Sequence, residues 1–144
     1  MTGGLKASGY QVSGHQVVEE TFRSPVIFTS PATVFTARQA TEGKGAFAKH
    51  CASCHQSDLS GDNEIPALAG KAFMAMWGSR STKDLFEYMS AAMPYGRAPL
   101  TEDAYLSILA YILESNGAVA GESEFSAATA APIASVIPRQ DAPK

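Results

Sequence analysis

Residues 48–55 read Ala48-Lys49-His50-Cys51-Ala52-Ser53-Cys54-His55. They hold the two cysteines of the chain, three positions apart, with a histidine directly after the second. A structural disulfide framework brings more cysteines at wider spacings, so this pair belongs to one local motif. The residues before it carry a helical pattern. Ala40, Gly43, Phe47 and His50 share one face of a helix predicted from about Ala37 to Cys51. Thr36 is its expected N-cap, with Gln39 three positions on as the reciprocal partner. The cysteines therefore stand where a helix gives way to a loop.

The pattern is C-x-x-C-H, the attachment signature of a c-type haem. Two thiols at this spacing reach the two vinyl-derived carbons on one edge of a porphyrin, and the next residue sets an imidazole beneath the iron. His55 is then the expected proximal ligand. Two other readings of C-x-x-C fit less well. A zinc site needs further Cys or His at suitable spacing, and none follows. A redox dithiol of the thioredoxin kind follows a strand in a βαβ pattern, whereas this motif ends a helix.

Working outward, two further helices are predicted. One runs from about Thr82 to Ala92, capped by Ser81 with Asp84, with Leu85, Phe86, Met89 and Met93 at helical spacing. The other runs from about Glu102 to Ser115. Thr101 caps it, Leu100 and Tyr105 form a hydrophobic staple, and Tyr105, Ile108, Leu109 and Ile112 make its buried stripe. Asn116-Gly117 supplies the stop. Residues 1–35 read as an N-terminal arm with β-like stretches at Gln16-Val17-Val18, Val26-Ile27-Phe28 and Val34-Phe35, interrupted by Pro25 and Pro31. Residues 36–117 carry the helices and the chemistry. Residues 118–144, rich in Ala, Ser, Pro and Gly, read as a C-terminal extension that buries little and stays flexible or extended.

Residues 36–117 resemble a class I cytochrome c of the small bacterial type. Gly43 and Phe47, eight and four residues before Cys51, are similar to the glycine and aromatic of that family's first helix. Ile108 and Tyr111 resemble their partners on the last helix. Pro66-Ala67-Leu68-Ala69-Gly70 is similar to the family's P-x-L-x-G, which implies that the Pro66 carbonyl accepts the Nδ1–H of His55. The resemblance implies an all-α fold of three main helices around one covalent haem c.

It also implies a methionine as sixth ligand, from a Met-Pro loop before the last helix. Of the five methionines, Met93 in Met93-Pro94-Tyr95-Gly96 fits this best, because a loop brings sulfur to iron without bending a helix. Met89 is the competing candidate and otherwise core, and Met74 and Met76 are expected to pack as core. If Met93 is itself only a core residue, the iron is left open or water-bound. Trp77 and Arg80 are candidates to face the haem propionates. Tyr95 and Arg97 are expected to border the haem on the methionine side. His50 is expected at the surface near the haem edge, and His15 in solvent.

The chain has 144 residues and a formal net charge of −3, with no basic face for nucleic acid and no apolar run long enough to span a membrane. The expected role is an electron carrier or electron-transfer subunit and not an enzyme. Its redox partners would be a donor dehydrogenase and a cytochrome or oxidase acceptor. The pattern around Trp77 and residues 93–96 resembles cytochromes accompanying periplasmic dehydrogenases with quinone cofactors. The alternative is a haem enzyme or sensor that binds a small ligand at an open iron. Thioether attachment of haem takes place outside the bacterial cytoplasmic membrane, so a periplasmic home is expected, with a leader removed before Met1 or omitted.

Overall fold

The computed structural model describes residues 31–138, which belong to one compact unit beginning at Pro31. Six helices follow in order: α1 (Ala37–His50), α2 (Ala52–His55), α3 (Gly70–Trp77), α4 (Thr82–Ala92), α5 (Glu102–Ser115) and α6 (Ile133–Val136). Among the described residues there is no strand, and the one isolated bridge pairs Ser81 with Pro132. The fold is all-α. Two of the expected β-like stretches, 16–18 and 26–28, and His15 lie outside the described residues. Val34 and Phe35 are irregular, and Phe35 is fully buried.

The three main helices start and stop where their caps dictate. Thr36 accepts from the Gln39 backbone N–H, and the Gln39 side chain accepts from the Thr36 N–H, so two otherwise orphaned donors are satisfied. Ser81 and Asp84 do the same for α4. Thr101 caps α5, with Glu102 and Asp103 in the first turn where the helix dipole favours negative charge. The core lies chiefly along α5, where Tyr105, Leu106, Ile108, Leu109, Ala110, Ile112 and Leu113 are all buried. That is wider than the single predicted stripe, because α5 is covered on several sides.

The crossing of α1 and α5 organises the rest. A Cβ on Gly43 would sit 1.7 Å from the Ser107 carbonyl oxygen, so the two backbones touch there and only glycine fits. One turn on, the rings of Phe47 and Tyr111 meet at 5.4 Å between centroids, tilted by 54°.

Two expectations are corrected. Met76 is 54% exposed and is not core, since it lies on the outer side of α3, a helix whose buried residues are Phe73 and Trp77. Between residues 118 and 138 the segment after α5 is not loose. Phe125, Ile133, Val136 and Ile137 are buried, because a few large apolar side chains anchor an otherwise small-residue segment. This strap passes the start of α1, where the Gly121 N–H donates to the Phe35 carbonyl and the Gln39 side chain brackets the backbone of Phe125. It then reaches the start of α4. There the Thr82 N–H donates to the Ala131 carbonyl, and the Thr82 hydroxyl donates to Thr129 and accepts from the Ala131 N–H.

Candidate haem site

Helix α1 ends at His50 because Cys51 leaves helical geometry (φ −125°, ψ −29°), and the chain restarts as the single turn α2. That turn sets Cys51, Cys54 and His55 on one short, tightly hydrogen-bonded segment. The N–H groups of both Cys54 and His55 donate to the Cys51 carbonyl, at 3.2 and 3.0 Å. Both cysteines are unpaired, with Cys51 half-buried and Cys54 exposed. As a free thiol Cys51 is pushed up to about 11, chiefly by burial; Arg97 pulls it down and Cys54 pushes it up.

The chain leaves α2 through two residues in the left-handed region, Gln56 at φ 71° and Leu59 at φ 65°. These turns bring the loop back over the histidine. Leu59 is buried, the Gly61 N–H donates to the His55 carbonyl, and the Leu68 N–H donates to Leu59. Asp62 holds the loop from outside, its carboxylate accepting from the N–H groups of Glu64 and Ile65. Those bonds keep it below the usual carboxylate range. Asn116, at the end of α5, holds the loop from inside: it accepts from the Gly70 N–H and donates to Leu68 and Ile112.

The result is a fixed imidazole. His55 is 8% exposed, and its Nδ1 lies 3.0 Å from the Pro66 carbonyl oxygen. A carbonyl can only accept, so Nδ1 carries a hydrogen, and in the neutral imidazole this leaves the lone pair on Nε2. The residues present therefore fit a haem. Two free thiols stand at C-x-x-C spacing, and beside them is a buried imidazole whose ring is oriented by a backbone carbonyl and whose Nε2 is the nitrogen left for a metal.

Met93 is the C-cap of α4, half-buried and extended (φ −122°, ψ 149°). Its N–H continues the helix ladder to Met89, and its carbonyl accepts from the Tyr105 hydroxyl. Met89 is buried within α4. The loop after Met93 is tied to the cysteine helix by Arg97, which donates to the His50 carbonyl at 2.7 Å. Arg97 thus joins the methionine segment to the residue preceding Cys51, and Tyr95 beside it is 87% exposed. Trp77 is buried, with the Arg80 guanidinium 5.0 Å above its ring and Tyr88 packed on it at 5.6 Å. The sequence does not reveal the roles of Asn116, Asp62 and Tyr105. As sequence, Asn116 marks a helix stop and Tyr105 belongs to the staple and the buried stripe, since a local pattern does not show which distant backbone groups a polar tip will meet.

A helix that leads into C-x-x-C-H, crossed at a glycine by α5, with a following loop whose proline carbonyl holds the histidine, defines a class I c-type cytochrome. More narrowly, the chain belongs to the family whose model is described as cytochrome C oxidase, cbb3-type, subunit III, which matches residues 38–112. The chain is also similar in structure to a chain of the sulfane dehydrogenase SoxCD from Paracoccus pantotrophus. The TM-score is 0.53 at 24% identity, over 94% of this chain and 72% of that one. No curated protein sequence matches it. No helix among the described residues is long and apolar enough to cross a membrane.

Proposed function

We propose that the chain is a monohaem electron carrier in which Cys51 and Cys54 hold haem c through thioethers and His55 and Met93 are the axial ligands. The observation that carries this reading is the 3.0 Å contact of His55 Nδ1 with the Pro66 carbonyl. It leaves Nε2 as the nitrogen that would meet the iron and would make it a stronger donor. Bound haem supplies a one-electron couple between ferric and ferrous iron. The protein's part is to keep both sides of the iron occupied in both states, so that little rearranges on transfer. A thioether on one side favours the ferrous form and raises the potential.

The proposed donor is a periplasmic dehydrogenase, with a quinone cofactor as the favoured class, and the acceptor is a cytochrome or oxidase of the respiratory chain. Similarity of the Trp77 and 93–96 segments to cytochromes that accompany such enzymes supports this, as does a shared fold with a chain of a sulfane dehydrogenase. Residues 36–117 are proposed as the haem-bearing part and residues 1–35 as a docking arm or spacer.

The test is mass spectrometry with visible spectroscopy on protein matured in a periplasm. One haem mass is expected on the peptide containing Cys51 and Cys54, with a weak far-red band in the oxidised state from iron–thioether ligation. An unmodified polypeptide would sink the assignment. A haem with a high-spin spectrum and no far-red band would move it to the open-iron enzyme or sensor. Co-purification of a dehydrogenase checks the donor.

A further inference from the structure

We infer that Tyr105 is a positioning residue for the sixth ligand, a clasp that closes the loop carrying Met93. The inference rests on the proposed ligation by Met93. Tyr105 stands in the first turn of α5 and is 3% exposed. Its hydroxyl makes two bonds to the two ends of one loop. It donates to the Met93 carbonyl at 2.5 Å and accepts from the Leu100 N–H at 3.0 Å. Residues 94–99 between these anchors have no regular structure, and Tyr95, Gly96, Arg97, Ala98 and Pro99 are exposed.

Besides the two hydroxyl bonds, the Arg97 bond to the His50 carbonyl tethers this loop. Arg97 is exposed, so its bond competes directly with water. The buried hydroxyl does not face that competition. It is held by α5, the helix that also crosses α1 at Gly43. An outward swing of residues 93–100 that carried Met93 away from the iron would break both Tyr105 bonds together. The phenol thus couples the thioether's position to the crossed pair α1 and α5, the first of which leads into Cys51. An aliphatic residue or phenylalanine at 105 would fill the same space without fixing the loop.

The test uses the mature holoprotein and Tyr105→Phe, which keeps the ring and removes both bonds. Imidazole, which competes with a methionine for ferric iron, is the probe. Loss of two buried hydrogen bonds is expected to raise the apparent imidazole affinity about 5- to 30-fold and to weaken the far-red band. Phe125→Leu, in the strap, is the control for general destabilisation and should lower the urea midpoint without changing imidazole affinity. If Tyr105→Phe binds imidazole like the wild type while retaining the band, the clasp is wrong. If the control raises the affinity equally, the effect is global loosening and the clasp is again wrong. A wild-type protein that lacks the band overturns ligation by Met93 itself, a separate failure. In the unmutated protein the Leu100 amide should exchange with solvent as slowly as amides within α5; fast exchange there also overturns the clasp, whether or not the variant folds.

Discussion

Glycine 43 and Gly45 lie two positions apart on α1 and show how one added methyl can act in opposite directions. In a helix interior, replacing glycine by alanine gains about 1 kcal/mol from backbone entropy. At Gly45 nothing lies within 4 Å of the new Cβ, so that gain stands alone, and Gly45→Ala is expected to stabilise by up to about 1 kcal/mol. At Gly43 the new Cβ would lie 1.7 Å from the Ser107 carbonyl oxygen and 3.0 Å from the Ile108 nitrogen. Both obstacles are backbone, so neither can rotate away. Forcing α1 and α5 apart costs about 1–3 kcal/mol or more and also loosens Phe47 against Tyr111. Overpacking wins, and Gly43→Ala is expected to lower stability by about 2 kcal/mol. Urea unfolding of the two variants checks the pair; equal effects would mean that the helix crossing is not the constraint.

At the scale of elements, the caps tie helix formation to pH. The Asp84 carboxylate is held below its ordinary value chiefly by the backbone N–H of Ser81, and then by the Ser81 hydroxyl. A carboxylate whose folded value is depressed contributes stability that is fully present above the unfolded value, about 3.9. That contribution is lost as pH falls through the lower folded value. Asp58 and Asp62, in the loop after His55, are depressed in the same direction. The urea midpoint of the wild type should therefore fall as pH drops below about 4. Asp84→Asn should lie below the wild type at neutral pH and converge on it in acid. A constant gap across that range would show that the ionised carboxylate is not what caps α4. This part of the fold was legible in the sequence, because capping boxes and i, i+3, i+4 stripes are local patterns. Accordingly α4 and α5 run from Thr82 to Ala92 and from Glu102 to Ser115 as predicted, and α1 ends one residue early. Helix α3 is not legible in the sequence. Its start at Gly70 has no side-chain cap, and its eight residues are mostly apolar, so no period separates a buried face from an exposed one.

The whole molecule depends on a segment that average composition misdescribes. Small residues between 118 and 138 dilute Phe125, Ile133, Val136 and Ile137, and the i, i+3, i+4 spacing of the last three was the sequence signal of α6 that went unused. The haem motif was legible for the opposite reason, since its chemistry needs fixed residue types at fixed spacing within five positions. The strap, by contrast, is defined by contacts across the fold. One end is bracketed by Gln39 on α1, and the other is paired with Arg80, Ser81 and Thr82 at the start of α4. It joins the start of α1, the helix that leads into Cys51, to the start of α4, the helix capped by Met93. If it docks as one unit, releasing either anchor weakens the other. Phe125→Ala is expected to cost about 3–4 kcal/mol through the cavity it leaves. Thr82→Val is expected to cost about 1–3 kcal/mol through the Thr129 carbonyl and Ala131 N–H left unsatisfied. Together they should cost less than their sum by about 1 kcal/mol, because once Phe125 is gone the segment is already partly released and the second loss falls on contacts that no longer persist. Chemical denaturation of the two single variants and the double variant measures that coupling. Strict additivity would mean that the anchors at α1 and α4 act independently and that the strap does not transmit between the two helices.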